Sequence, residues 1–281
     1  MNTKRYLIIH ADDAGLCRAE NLATQQGMLH GCISSTSLMV PCPWFYDMAQ
    51  FCLEQPQLDY GIHLTLTGEW KTYPFRPITP PNKLTSFVDK YGYLPMKRAG
   101  IRDFAKIDEV RMELKNQIDF ALSFGLKPSH LDSHMYTLGV RQDLIDLYCE
   151  LGKEYNLPIL LSKKLIAYTG ENPDDFNFYN IPVIESVFMG SYPEFEGEGL
   201  AAYYENCLQN LPPGLSILLI HPALLSDEIK QITLDHPNFG AEWRGEDAAF
   251  FTGIKCRELL AANNIELVHW GSPQVLSLLN A

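Results

Sequence analysis

The sequence lacks the features of a membrane or secreted protein. None of its apolar runs approaches the roughly 20 residues that cross a bilayer. The N-terminal segment offers only about four apolar residues before Asp12 and Asp13, whereas a signal peptide needs a longer apolar stretch and a small-residue cleavage site. We therefore expect a cytoplasmic protein that has no membrane partner.

Positive charge is also scarce. The 281 residues include 22 Lys and Arg against 34 Asp and Glu, which gives a formal net charge of −12. A surface that binds nucleic acid needs the opposite sign to neutralise phosphates. The charge balance argues against a nucleic-acid partner and favours a neutral or cationic small substrate.

Cysteine pairs and nucleotide-binding motifs are missing as well. The seven cysteines are odd in number and form no C-x-x-C pair, so we expect buried reduced thiols rather than disulfides or a cysteine zinc site. The sequence contains no G-x-G-x-x-G, Walker, G-x-S-x-G or H-E-x-x-H motif. Chemistry based on a nucleotide cofactor or a serine nucleophile is therefore disfavoured.

What the sequence does contain is an alternation of short apolar runs with longer segments of helical spacing. Such alternation predicts an α/β fold with a parallel sheet, and seven or eight strand candidates favour a β/α barrel over an open sheet. We expect residues 1–281 to form a single domain. The strand candidates are residues 6–10, 33–40, 60–66, 129–136, 158–161, 181–188, 215–221 and 265–270, and the helix candidates are residues 20–29, 44–53, 108–124, 144–151, 201–211 and 247–262.

Residues 67–106 interrupt this alternation. The stretch is rich in proline and in aromatic residues. A connection of this length inside a compact domain is usually a lid or a binding loop. An oligomer contact or a merely long loop is the alternative, and the sequence also leaves a homodimer open.

Acid–base residues stand in or at the ends of four strand candidates, where parallel β/α folds bind their ligands. Asp12 and Asp13 follow the first strand. In one interpretation, one carboxylate binds a metal while the other takes a proton from water. In the alternative, the pair only caps the next helix. His63 lies in an apolar strand, where its nitrogens need a ligand or a hydrogen bond. His221 ends the run 215–221, across the site from Asp12, and suits a general acid.

The third strand end combines His130, Asp132 and His134, which share one face because side chains alternate along a strand. Asp132 can orient a histidine that ligates a metal. Asp13 and His63, with one of the two other histidines, would give a two-His, one-carboxylate site with open positions for water and substrate. Zn²⁺ suits these ligands, and Mg²⁺, Mn²⁺, Co²⁺ and Fe²⁺ stay open.

Four motifs, in this order and spacing, resemble the YdjC-like carbohydrate deacetylases, a family that includes the chitooligosaccharide deacetylases. The motifs are Ala11-Asp12-Asp13, Gly61-Ile62-His63-Leu64, His130-Leu131-Asp132-Ser133-His134 and His221-Pro222. The resemblance implies a distorted β/α barrel of the polysaccharide-deacetylase type. It also implies one divalent metal, Mg²⁺ or Zn²⁺, and hydrolysis of the N-acetyl group of a sugar or small oligosaccharide.

The resemblance further assigns roles to individual residues. It implies Asp12 as the base, His221 as the acid, and Asp13, His63 and His134 as metal ligands. It implies Arg244 as a brace for the base. His130, Asp132 and Tyr136 are candidates for supporting the ligands or contacting the substrate; Tyr136, Trp70 and Trp243 would stack on sugar faces or else belong to the core. Another metal hydrolase acting on phosphoesters or cyclic amides, and a catalytically silent sugar-binding protein, are the alternatives.

Overall fold

The computed structural model describes residues 4–178 and 181–279. Within these ranges the chain forms seven strands and twelve α-helices, with short 3₁₀ helices between them. The strands are β1 (Arg5–Ala14), β2 (Ser35–Leu38), β3 (Tyr60–Leu64), β4 (Leu131–Ser133), β5 (Ser186–Met189), β6 (Gly214–Ile220) and β7 (Ile265–Leu267). The helices are α1 (Arg18–His30), α2 (Phe45–Glu54), α3 (Arg98–Phe104), α4 (Ile107–Ser123), α5 (Gln142–Tyr155), α6 (Lys163–Tyr168), α7 (Tyr192–Glu196), α8 (Leu200–Gln209), α9 (Asp227–Ile232), α10 (Ala241–Thr252), α11 (Ile254–Ala262) and α12 (Pro273–Leu279).

The strands form one parallel sheet in the order β4-β3-β2-β1-β6-β5. The long strand β1 has a third partner, because β7 pairs with residues 5–7 whereas β2 pairs with residues 10–14. β6 pairs with residues 5–11 of β1. The first strand is therefore the one around which the sheet is organised.

The sheet curls toward closure beyond β4. Ile159 forms a β-bridge with Leu131, and the amide of Ile184, just before β5, donates to the carbonyl of Leu161 at 2.8 Å. Residues 158–161 thus connect the β4 edge of the sheet to the segment that leads into β5. The prediction of an α/β fold with a distorted, barrel-like parallel sheet is confirmed.

Alternation along β1 separates the outer core from the interior of the curled sheet. Leu7, Ile9 and Ala11 pack with buried side chains of α8, α10 and α11. Between them, His10 faces inward and its Nε2 lies 2.9 Å from the carboxylate of Asp132. The same strand therefore builds the apolar layer outside the sheet and a polar network inside it.

Some elements differ from the sequence-based expectation. β4 ends at Ser133, three residues early, because Met135 and Tyr136 have φ values of 53° and 49° and the chain enters a 3₁₀ helix there. The helix predicted at residues 247–262 is wrong as one element, since α10 ends at Thr252, α11 begins at Ile254, and Gly253 separates them. Gly253 has an extended backbone, with φ −77° and ψ 164°, so the helical path cannot continue through it.

Residues 67–106 lie against α4. The carboxylate of Glu113 accepts the backbone amides of Ile78 and Thr79 at 3.0 and 2.8 Å. Phe75, from the same stretch, is buried with its ring 6.3 Å from that of His134. The insertion is therefore part of the packed structure and reaches the strand ends that carry the candidate site.

All seven cysteines lie in the described ranges, and each is buried and free. No helix in the described part of the chain is both long and apolar enough to span a bilayer.

Candidate metal centre and active site

Asp13, His63 and His134 come together from the ends of β1, β3 and β4. One ligand atom from each lies within 4.8 Å of the others, and all three residues are buried. Asp13 Oδ1 is 3.1 Å from His134 Nδ1 and 3.4 Å from His63 Nε2. His130 instead stacks on Trp270, with ring centroids 4.6 Å apart. Of the two histidines that the sequence left open, the structure places His134 beside Asp13.

The backbone of Asp13 explains how two adjacent carboxylates reach one site. Neighbours on a regular strand point to opposite faces of the sheet. Asp13 has a left-handed φ of 65°, and the pairing of β1 with β2 shifts register between Ala11 and Ala14. Such an irregularity re-aims a side chain at a strand end. Asp12 and Asp13 consequently approach the same histidine cluster.

Asp132 fixes the orientation of His63. Its Oδ1 accepts a hydrogen bond from His63 Nδ1 at 2.8 Å, which leaves Nε2 directed toward Asp13. Its Oδ2 accepts a hydrogen bond from Ser37 Oγ at 2.7 Å. A carboxylate that holds the second nitrogen of an imidazole is the usual support for a metal-ligating histidine.

The donor set fits a divalent cation. Two imidazoles and one carboxylate form an open coordination site of the kind found in metal hydrolases. In the described part of the chain, His134 Nε2 is buried and has no hydrogen-bond partner. Such an orphaned nitrogen is costly unless a ligand satisfies it.

The pKa shifts of Asp13 and His63 also fit a cation site. Burial alone would raise the pKa of Asp13, but Arg244 and the two histidines hold it well below its usual range. Burial alone would lower the pKa of His63, but Asp132, Asp12 and Asp13 hold it well above its usual range. His63 and Asp13 thus form an ion pair, and a divalent cation at this point would replace the proton on the imidazole.

Arg244 contacts the metal candidate Asp13, whereas the resemblance implies that it braces the base candidate Asp12. Its Nη2 donates to Asp13 Oδ2 at 2.8 Å, and its Nη1 donates to Glu20 Oε2 at 2.8 Å. Its Nε donates to the carbonyl of Phe239, and the guanidinium is fully buried. Arg244 therefore fixes the rotamer of Asp13 from the side away from the histidines.

His221 lies beside Asp12 rather than across the site from it. His221 Nε2 is 3.7 Å from Asp12 Oδ2, while His10 Nε2 is 3.2 Å from Asp12 Oδ1. The backbone amide of His221 donates to Asp247 at 2.8 Å, and Asp247 also accepts the hydroxyl of Tyr204. Burial lowers the pKa of His221 to about 4, so its imidazole is neutral near pH 7.

A polar network continues beneath the site. Burial alone would lower the pKa of His10, but the neighbouring Asp12 and Asp132 raise it to about 9. His10 Nδ1 lies 3.1 Å from Ser35 Oγ, which in turn donates to Asp59 at 2.6 Å. Burial and the nearby charge of His10 lower the pKa of His130 to about 4. The two adjacent imidazoles therefore carry a single positive charge near pH 7, which lies on His10 beside Asp12 and Asp132.

The site opens into a small pocket that adjoins a larger cavity. The pocket has a volume of about 50 Å³ and is lined by Asp12, His63, Glu69, Asp132, Ser133, His134, Met135, Tyr136, Leu160, Leu165, Tyr168, Met189, Leu219, His221 and Phe239. The neighbouring cavity has a volume of about 340 Å³ and shares the walls Leu165, Tyr168, Met189 and Phe239. These four side chains therefore stand between the two spaces.

Of the three aromatic residues considered for sugar stacking, Tyr136 lines this pocket. Its hydroxyl accepts the backbone amide of Ser162 at 2.9 Å. Trp70 and Trp243 are 2% and 1% exposed. Trp70 covers the guanidinium of Arg244, and Trp243 packs on Phe239, so both are core residues.

Three carboxylates near the site, Glu20, Glu69 and Asp247, escaped the sequence analysis. Glu69 is the third residue of the insertion 67–106, and its position just after the strand that carries His63 is the signal in the sequence that could have identified it. Burial is the largest influence on the pKa of Asp247, which it raises to about 7. Burial likewise raises the pKa of Glu20 well above its usual range. No spacing pattern marks these two, because their partners lie far along the chain.

Comparison with known proteins identifies the family. A family model described as YdjC-like protein matches residues 6–262. The chain therefore belongs to the YdjC-like family, which confirms the resemblance drawn from the four strand-end motifs.

Individual relatives cover most of the chain. It is 32% identical over 253 residues to a Thermus thermophilus protein named carbohydrate deacetylase, covering 88% of this chain and 86% of the relative. It is 28% identical to the carbohydrate deacetylase of Thermoanaerobacter pseudethanolicus, covering 95% of this chain and 98% of that one. A chitooligosaccharide deacetylase of Proteus mirabilis is 26% identical over 80% of this chain and 83% of its own.

A solved structure shares the fold. A protein of Enterococcus faecalis V583, which carries the provisional name of a cellobiose-phosphate cleavage protein, superposes with a TM-score of 0.76 at 22% identity. The match covers 95% of this chain and 98% of that chain.

Proposed function

We propose that this protein is a divalent-metal-dependent hydrolase that removes the acetyl group from an N-acetylated sugar or small oligosaccharide. The observation that carries the proposal is the convergence of Asp13, His63 and His134, with Asp12 and His221 in the pocket that His63 and His134 also line. The names of the relatives, carbohydrate deacetylase and chitooligosaccharide deacetylase, support the reaction and the substrate class.

Asp13 Oδ1, His63 Nε2 and a ring nitrogen of His134 would hold the metal. A divalent ion bound there polarises an acetyl carbonyl and lowers the pKa of water. Asp132 keeps His63 in the orientation that frees Nε2, and Arg244 keeps the carboxylate of Asp13 in place. The ligand types favour Zn²⁺ by softness, with Mg²⁺ as the other candidate.

Asp12 is the proposed base. Its Oδ1 lies 3.2 Å from His10 Nε2, whereas its Oδ2 lies on the side of His221, so Oδ2 is the oxygen that would receive a proton. Water adds to the acetyl carbon, and its proton passes to Asp12. General bases of this kind contribute about 10²- to 10⁴-fold to rate.

His221 is the proposed donor to the leaving nitrogen. Its ring is neutral before the reaction, and its Nε2 lies 3.7 Å from Asp12 Oδ2. It would accept the proton that Asp12 has taken once the two groups close to hydrogen-bond distance or through one bridging water. The ring then protonates the nitrogen as the C–N bond breaks. The products are acetate and a sugar amine, and the proton taken from water ends on that amine.

The small pocket and the neighbouring cavity suggest where the acetyl group and the sugar of the substrate bind. A pocket of about 50 Å³ suits an acetyl group, and a cavity of about 340 Å³ lies in the range of small-molecule sites. We place the acetyl group beside the metal candidates in the small pocket, and the sugar ring that carries it where this pocket meets the larger cavity. The net charge of −12 agrees with a neutral substrate.

The test combines elemental analysis of the purified protein with assays of acetate and amine release. The substrates are N-acetylglucosamine and its oligomers. We expect one Zn²⁺ or Mg²⁺ per chain and equal amounts of the two products. A protein that binds one metal but releases neither product from any N-acetylated sugar would contradict the proposed reaction.

Two neighbouring variants separate the roles of the paired carboxylates. Asp12→Asn should keep the metal and lose about 10²- to 10⁴-fold in kcat, because an amide matches the shape of a carboxylate but cannot act as a base. Asp13→Asn should lose the metal together with activity. Metal content and kcat, measured on the same samples, distinguish a base from a metal ligand. Loss of metal in Asp12→Asn would show that Asp12 is a ligand.

A further inference from the structure

Glu69 places an additional carboxylate in the wall of the small pocket. It comes from the insertion that follows β3, and its side chain is 12% exposed. Its Oε2 is buried, and no group in the described part of the chain forms a hydrogen bond with it. A buried acceptor without a donor is destabilising unless a bound molecule supplies one.

Arg244 does not satisfy this acceptor. Its Nη2 is 3.8 Å from Glu69 Oε2, which is beyond hydrogen-bond distance, and the same nitrogen donates to Asp13 at 2.8 Å. The other hydrogen bonds of the guanidinium go to Glu20 and to the carbonyl of Phe239. The protein thus brings a carboxylate to the pocket and leaves it without a partner.

We propose that Glu69 is a specificity-determining residue that accepts a hydrogen bond from a hydroxyl group of the sugar ring that carries the acetamido group. This inference rests on the deacetylase function proposed above. Sugar hydroxyls are donors that a buried carboxylate can bind strongly, because hydrogen bonds to charged groups are stronger than neutral ones.

The position of Glu69 determines which sugar ring of the substrate it can contact. Glu69 lines the pocket that contains Asp12, His134 and His221, and it is absent from the walls of the neighbouring cavity. A second sugar unit in that cavity would therefore lie away from Glu69. The contribution of Glu69 should be the same for a monosaccharide and for an oligosaccharide.

The test uses Glu69→Gln and Glu69→Ala with three substrates: N-acetylglucosamine, its dimer, and 4-nitrophenyl acetate, which carries no hydroxyl group. We expect kcat/KM for both sugars to fall by about 10- to 100-fold in Glu69→Ala, and by less in Glu69→Gln, which keeps an acceptor. Ester hydrolysis and metal content should stay at the level of the unmodified protein. Asp103→Asn, an exposed carboxylate of the same insertion, is the matched control and should change none of these values.

Monodeoxy analogues of N-acetylglucosamine identify the hydroxyl. For the unmodified protein, one analogue should lose about as much kcat/KM as Glu69→Ala loses on the natural sugar. In Glu69→Ala that same analogue should show no further loss, because both changes remove one interaction.

Three outcomes would overturn the inference while leaving the deacetylase function intact. Loss of metal in Glu69→Gln would make Glu69 a ligand. Equal losses on sugar and ester would give it a general structural or catalytic role. Additive losses across all deoxy analogues would mean that it contacts no hydroxyl. If the unmodified protein releases no acetate from any N-acetylated sugar, the proposed function itself fails.

Discussion

His221 is held by its backbone as much as by its ring. Its amide donates to Asp247, whose other oxygen accepts the hydroxyl of Tyr204, so the residue has little freedom to move. The ring itself contacts Phe239 and approaches Asp12. This arrangement suits a group that passes a proton between two fixed partners.

The role of His221 is testable with two substrates that differ in leaving group. In His221→Gln, hydrolysis of an N-acetylated sugar should fall by about 10² or more, because an amine is a poor leaving group unless it is protonated. Hydrolysis of 4-nitrophenyl acetate should fall much less, since its leaving group hardly needs an acid. Equal losses on both substrates, measured as kcat/KM, would instead indicate a structural or metal-site role.

Gly61 is a second residue whose identity the site requires. A Cβ at this position would collide with the ring of His130, and His130 is confined between His10 and Trp270. Gly61→Ala should therefore lower the free energy of unfolding by about 1–3 kcal/mol and displace β3, which carries His63. Urea unfolding and metal content measure both effects. Gly68→Ala is the control, since its nearest neighbour would be Met96 Sδ at 3.4 Å, and a similar loss there would contradict the steric argument.

Residues that face a strand end are readable from sequence, whereas those that depend on distant partners are not. Asp13, His63 and His134 each follow or interrupt an apolar run, and the ends of parallel strands converge. Arg244 lies 231 residues from Asp13 and 224 from Glu20, so no local pattern could predict that it holds Asp13 rather than Asp12.

At the scale of elements, the insertion 67–106 is anchored through α4. Glu113 accepts two of its backbone amides and also a hydrogen bond from Gln117, which itself pairs with both backbone groups of Thr65. One buried carboxylate thus secures the insertion to the end of β3. The position of Glu69 and Phe75 at the site depends on this attachment.

Glu113→Ala should therefore loosen the insertion selectively. The change leaves the buried amide of Thr79 and the partly buried amide of Ile78 without acceptors, at a cost of about 1–3 kcal/mol for the buried one. We expect faster proteolytic cleavage within residues 67–106, lower stability and reduced kcat/KM. Asp119→Ala is the control: Asp119 lies on the same helix and accepts the hydroxyl of Tyr155, which is outside the insertion. Cleavage that is faster in the control than in Glu113→Ala would contradict the anchoring role.

The alternation of elements was predictable from periodicity, but their ends were not. The segment 129–136 reads as a strand because apolar and polar residues alternate, yet the left-handed backbone of Met135 and Tyr136 turns the chain into a 3₁₀ helix. Hydrophobic periodicity reports which face is buried and not where φ changes sign. The interruption of the last long helix at Gly253 has a visible signal, since glycine is a poor helix former.

At the scale of the whole molecule, Asp59 joins β3 to the C-terminal segment. It accepts hydrogen bonds from Ser35 Oγ and from the amide of Gly271, and it lies 3.1 Å from His269 Nδ1. Burial would raise the pKa of Asp59, but His269, His130 and these hydrogen bonds hold it well below its usual range. Because the folded pKa is lower than the unfolded one, the stabilisation is present above about pH 4 and is lost as the pH falls further.

Asp59→Asn should accordingly reduce stability most at neutral pH. We expect a loss of about 1–3 kcal/mol at pH 7, and the difference from the unmodified protein should shrink as the pH falls below about 4. Urea unfolding across this pH range measures the difference. A difference that stays constant with pH would show that the charge of Asp59 contributes nothing.

Metal binding should stabilise the whole chain as one unit. A ligand at 100 times its Kd that binds only the folded state adds about 2.7 kcal/mol to the free energy of unfolding. We expect a single thermal transition whose Tm rises with added Zn²⁺ or Mg²⁺ and falls with a chelator, and no such rise in Asp13→Asn. Two separate transitions would contradict a single domain, and an equal rise in Asp13→Asn would place the metal elsewhere.

The position of β1 at the centre of the sheet has a consequence for synthesis on the ribosome. β1 is made first, but its partners β6 and β7 begin at residues 214 and 265. At about 5–20 residues per second, the nascent chain waits on the order of 10 to 40 s before β6 is available. During that time Leu7 and Ile9 lack the helices that cover them in the finished protein. A nascent chain with such an exposed apolar strand is prone to aggregate, so the yield of folded protein in a cell should depend on chaperones that shield the first strand until the last third of the chain emerges.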